Sequence, residues 1–106
     1  MESEAPEILR FKGINQKAKD WENEGFKVKA NIGGWDRPSR IEGLIPDLRG
    51  DRGDNIRIGC VEIEGDTVDT TRWDKLTEYS AKNKNASIRL YSLSRDGICS
   101  LKQIKP

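Results

Sequence analysis

Residues 45–66 read IPDLRGDRGDNIRIGCVEIEGD. Two apolar-bearing runs flank a centre made of Gly, Asp, Asn and Arg, which is the pattern of two strands joined by a tight turn. Side chains alternate along a strand, so Ile56, Ile58, Cys60, Glu62 and Glu64 share one face. Three apolar positions on that face give way to two carboxylates, so the face leaves a core and enters a pocket or solvent. Val61 and Ile63 occupy the other face. A strand apolar on both sides is a central one, covered by other elements above and below.

Working outward, Glu4 to Glu24 reads as a helix, with Ile8, Phe11, Ile14, Ala18 and Trp21 recurring at steps of three and four. Ser3 is its expected N-cap, Pro6 falls in the first turn, and Gly25 supplies the stop. FKVKANI then alternates as a half-buried strand with Phe26, Val28 and Ala30 on one side. GGWDRPSRIEG, punctuated by Gly and Pro, is a loop. After the hairpin, TTRWDKLTEYSAKNKN reads as a second helix with Trp73, Leu76, Tyr79 and Ser80 inward, and Thr71 with Asp74 resembles a capping box. Asp69 and Thr70 are further candidates for its cap. ASIRLYSLS is a strand, Asp96-Gly97 a turn, and ICSLKQI a last short strand. The expected order is helix, three strands, helix, two strands: an α/β fold with a mixed central sheet flanked by helices, in one domain spanning residues 1–106.

Hydrophobic residues make up 34% of the chain and charged ones 35%, so the core is economical and the surface densely charged. A net charge of +1 singles out no partner, and any affinity for nucleic acid has to come from local segregation of charge. Histidine is absent, which removes Ser-His-Asp and Cys-His nucleophile pairs and imidazole zinc sites. Cys60 and Cys99 read as buried thiols rather than a disulfide. The start lacks a signal-peptide layout and no apolar run reaches membrane-spanning length, so an intracellular, cytoplasmic protein is expected.

A two-residue loop at Asp54-Asn55 would set Gly53 opposite Ile56 and, further out, Asp47 opposite Glu62, with Cβ atoms roughly 5 Å apart. Glu64 would lie about 6–7 Å further along the strand. Three carboxylates this close repel unless protons or a cation intervene, and hard ions such as Mg²⁺ or Mn²⁺ prefer such oxygen ligands. A turn moved by Gly50 or Gly53 would instead slide Asp47 towards Ile58, leaving the acids as solvated strand ends.

At these residues the chain resembles the PD-(D/E)xK nuclease superfamily, the restriction-endonuclease-like fold. The resemblance rests on Pro46-Asp47, a hairpin, then Glu62-Ile63-Glu64, within the matching order of elements. Over about residues 8 to 95 it looks most like the archaeal Holliday junction resolvases and related small nucleases. It implies DNA as partner, branched or distorted DNA included, and a homodimer. It further implies Asp47 and Glu62 as ligands of Mg²⁺ or Mn²⁺, helped by the carbonyl of Ile63, with metal-assisted hydrolysis of a phosphodiester as the reaction. Glu64 stands where the family keeps its lysine, as in a minority of restriction enzymes, and would act as base. Gln16 falls where relatives carry a further acid, Lys75 is a substitute cation or a solvated lysine, and Asp66 is a fallback ligand. The departure at Glu64 leaves two readings side by side. One is a nuclease. The other is a catalytically inactive nuclease-fold protein that binds nucleic acid or a protein partner.

Arg37, Arg40, Arg49 and Arg52 in the loop and strand near Asp47, with Lys17 and Lys19 on the first helix, are the expected phosphate contacts. Trp35, off any periodic stripe, either stacks on a base or caps the edge of the core.

Overall fold

The structure, a computed structural model, describes residues 5–65 and 70–105. Its elements follow the expected order: α1 (Pro6–Asn23), β1 (Lys27–Ala30), β2 (Leu48–Arg52), β3 (Asn55–Ile63), α2 (Thr70–Lys82), β4 (Ala86–Leu93) and β5 (Cys99–Lys105). The strands form one five-stranded sheet in the order β1-β2-β3-β4-β5. Only β3 and β4 run parallel, the crossover between them being α2; the other three pairings are antiparallel. The Cα radius of gyration of 13.3 Å is that of a single compact domain, for which a chain of this length is expected near about 13 Å.

Alternation along β3 divides the core into two layers. Val61 and Ile63 point to the α1 side with Leu9, Ile14, Ala18, Trp21 and Leu93, whereas Ile58 and Cys60 point to the α2 side with Leu76, Ile88 and Leu90. Cys60 and Cys99 are free thiols buried in different layers. No helix among the described residues is long and apolar enough to cross a membrane.

Local expectations are corrected in three places: the first helix, the second helix and the hairpin. The helix begins at Pro6 with Ala5 in the N-cap position and no side-chain cap, and Ser3 lies outside the described residues. Its buried stripe is Leu9, Gly13, Ile14, Ala18 and Trp21, while Ile8 and Phe11 are exposed. Gly13 explains the rotation: a Cβ there would meet the Leu93 side chain at 3.1 Å, so the missing side chain lets α1 settle onto β4. In the second helix Thr71 lies inside α2 and does not cap it, and Asp69 lies outside the described residues.

The third correction concerns the hairpin. Arg52 pairs with Asn55, so the loop is Gly53-Asp54, with Gly53 at φ +59° as a type II′ turn requires at its first central position. Leu48 therefore faces Gly59, which carries Asp47 to the level of Cys60 and not of Glu62. Glycine at position 59 is dictated by space. A Cβ there would stand 2.9 Å from the ring of Trp21, which lies flat across this part of the sheet.

Candidate functional site

The C-terminal ends of β1, β3 and β4, the start of β2 and the N-terminal halves of both helices all meet at one end of the sheet. Asp47 sits there, immediately before β2, and is 2% exposed. A buried carboxylate needs compensation, and Asp47 receives it from three directions. Arg10 of α1 places Nη2 2.7 Å from Oδ1. Arg72 of α2 places Nη2 3.1 Å from the same oxygen. The backbone N–H of Val61 donates to Oδ2 at 2.8 Å.

Both guanidiniums also fasten neighbouring chain. Arg10 Nη1 donates to the Val61 carbonyl at 2.6 Å, and Arg72 Nη2 donates to the Ile45 carbonyl at 3.0 Å. The carboxylate is thus a hub that ties α1, α2, the entry to β2 and the centre of β3 together. Each arginine keeps part of its surface in solvent, 34% of the side chain for Arg10 and 24% for Arg72. Neither arginine was singled out in the sequence. A signal existed for Arg10, which stands on the line Arg10–Ile14–Lys17–Trp21 at helical spacing, a cation leading the apolar stripe.

Glu62 is half-buried on the same face of β3 as Ile58 and Cys60, paired in register with Ser92 of β4. Glu64 lies past the end of β3 in a turn, exposed, with its backbone N–H donated to the Leu93 carbonyl. Cys60 reports the field at this point. Burial above all pushes its thiol up to about 12; Arg72 and Arg10 pull it down, and Asp47 and Glu62 raise it further.

Asp47, Glu62 and the Ile63 carbonyl, the expected ligands of a divalent ion, lie at this end of the sheet, and both Asp47 oxygens already have protein partners. Oδ1 accepts from Arg10 and stands in ion-pair contact with Arg72, and Oδ2 accepts from a backbone amide. Among the described residues, no cluster of three or more acidic or thiol side chains is placed to hold a metal. Gln16 is exposed on α1, Lys75 is exposed on α2, and Asp66 lies outside the described residues.

The expected phosphate contacts scatter. Arg37 is exposed in the loop after β1 and donates to Asn31 Oδ1. Arg40 donates to the Gly43 carbonyl in a tight turn whose Glu42 lies 3.9 Å from Lys82, in the last turn of α2. Arg49 is paired with Asp51, which raises its pKa further. Arg52 stands at the far end of β2, away from Asp47. Lys17 lies over the Tyr91 ring, 3.6 Å from Asp20, and Lys19 is exposed. Trp35 is half-buried, packs on the α1-side core and donates its indole N–H to Asn15 at 2.9 Å. Arg95, in the turn after β4, reaches back to Gly65 beside Glu64.

No protein-family model matches the chain, and no curated protein matches it.

Proposed function

We propose that the chain is a non-catalytic domain on a nuclease-type scaffold that binds phosphodiester backbones with the arginine-bearing end of its sheet. The observation that carries the reading is the occupation of both Asp47 oxygens by Arg10, Arg72 and the Val61 amide. The acid that relatives of this pattern would use as a metal ligand here holds two arginines in place. Each guanidinium has five N–H donors in a planar fork suited to phosphate oxygens, and each retains solvent-facing surface. Arg37 and Arg95 add exposed cations at the same end, and both helices direct their N-terminal, partially positive ends towards it. Contacts of this kind favour the DNA or RNA backbone without sequence choice.

A second reading, the divalent-metal-dependent nuclease acting on DNA, keeps one specific support. Asp47 and Glu62 both act electrostatically on the Cys60 thiol, so the two acids share its neighbourhood. The two readings separate in one experiment that combines salt-dependent binding with a nicking assay on duplex and four-way-junction DNA in Mg²⁺ or Mn²⁺. Binding that weakens steeply with salt, without cleavage, supports the first reading. Cleavage lost on Glu62→Gln supports the second.

A further inference from the structure

The opposite end of the sheet carries a feature that the proposed function does not use. A cavity of about 270 Å³ opens there between the end of β2, the starts of β3 and β4, and the link after α2. Its walls include Phe26, Arg52, Arg57, Lys84, Asn85 and Ser87. Three of the lining residues are cations and none is an acid.

The cations are organised. The Arg57 guanidinium lies 4.2 Å from the centroid of Phe26 and 5.2 Å from that of Trp21, with only 12% of its side chain exposed. Arg52 lies 4.6 Å from the same Phe26 ring. Two like charges on one ring repel, and the compensation present comes from Glu24. Its Oε2 accepts from Arg57 Nη1 at 3.2 Å and its carbonyl from Arg52 Nη1 at 2.9 Å. That is one carboxylate against two guanidiniums, with the exposed Lys84 ammonium still to be added. Ser87 pairs in register with Arg57, and Arg89, one step further along the same face, has a buried Nε without an acceptor among the described residues. Positive charge therefore accumulates along this face faster than the protein neutralises it.

From this we infer that the cavity is a binding site for a phosphate monoester or inorganic phosphate, held by Arg52, Arg57 and Lys84. A dianion with three oxygens answers a charge excess that a single carboxylate does not, and arginine forks match its geometry. Ser87 and Asn85 supply neutral partners. The volume lies just below the usual range for drug-sized ligands, about 300–1,000 Å³, which suits a small phosphorylated molecule rather than a polymer. This site lies at the other end of the sheet from Asp47 and is independent of the proposed function.

The test is a calorimetric and ¹⁵N NMR titration of the full chain with inorganic phosphate, a 5′-mononucleotide and, as control, acetate at matched ionic strength. Saturable phosphate binding, about tenfold or more tighter than acetate, with shifts at the Arg57, Asn85 and Ser87 amides, is expected. Arg52→Gln and Lys84→Gln, both at exposed positions, each weaken it about tenfold, whereas Lys102→Gln, exposed on β5 and outside the cavity lining, leaves it unchanged. A response shared by the mononucleotide and inorganic phosphate assigns the recognition to the phosphate group. Phosphate binding no tighter than acetate overturns the proposal. So does wild-type affinity in Arg52→Gln and Lys84→Gln, or an equal loss in Lys102→Gln. Arg57→Gln is expected to weaken binding most, and if it fails to fold the two exposed variants decide alone.

Discussion

Arg10 and Arg72 come from helices on opposite faces of the sheet, yet both place Nη2 on the same atom, Oδ1 of Asp47, at 2.7 and 3.1 Å. The contact joins the two layers at the point where β2 enters the sheet. It also sets what the acid does chemically: its charge is spent on positioning two cations.

Removing the hub is expected to cost more than removing either spoke. Asp47→Ala takes the counter-charge from two guanidiniums and the acceptor from the Val61 amide, a loss of about 3–4 kcal/mol on the scale of broken buried ion pairs. Arg10→Met leaves Asp47 with Arg72 and Val61, and costs about 1–2 kcal/mol because Arg10 is a third exposed. Urea denaturation of both variants and of the double mutant checks the ranking. A coupling energy above about 1 kcal/mol between the two positions is expected.

Stability is expected to fall on the alkaline side because of Cys60. Its thiol is raised to about 12 by burial, above the value near 9 of a free thiol. The unfolded chain therefore releases a proton between these values that the folded chain retains. The contribution is complete below about pH 9 and is lost as pH rises towards 12, with a slope on the order of 1 kcal/mol per pH unit. Cys60→Ala should flatten this limb relative to wild type in denaturation curves recorded from pH 8 to 11. At pH 8 both buried thiols should react with an alkylating reagent far more slowly than a free cysteine.

Gly59→Ala tests the packing of Trp21 across the sheet. The added Cβ would stand 2.9 Å from the indole and 3.1 Å from Leu48, and the ring, buried over Gly50 and Gly59, has little room to retreat. A loss of about 1–3 kcal/mol is expected by chemical denaturation. Gly33→Ala, which meets nothing within 4 Å and has no positive φ, is the neutral control.

The element order and the two-sided character of β3 were legible because alternation and helical spacing are local signals. Ile58 and Cys60 against Val61 and Ile63 can be separated by counting alone. The hairpin register was not legible, since Gly53-Asp54 and Asp54-Asn55 both suit a two-residue loop. The chain turns at Gly53-Asp54, where Gly53 takes the positive φ of the first loop position. In the α1 stripe Ile14, Ala18 and Trp21 are buried as expected, and Ile8 and Phe11 are not: Gly13 buries no side chain of its own, yet it lets this face of α1 meet Leu93. The acids at Asp47 and Glu62 were visible, but their arginine partners come from elements far away in the sequence, and no spacing rule reaches across that separation.

The most direct measurement is cleavage and binding of four-way-junction and duplex DNA by wild type and Glu62→Gln, in Mn²⁺ and over a range of salt. Asp47→Ala is the wrong variant here, since it removes the hub of the fold. The account predicts binding that falls steeply with salt, no strand cleavage, and little difference between the two proteins. Manganese-dependent nicking by wild type that disappears in Glu62→Gln would contradict it.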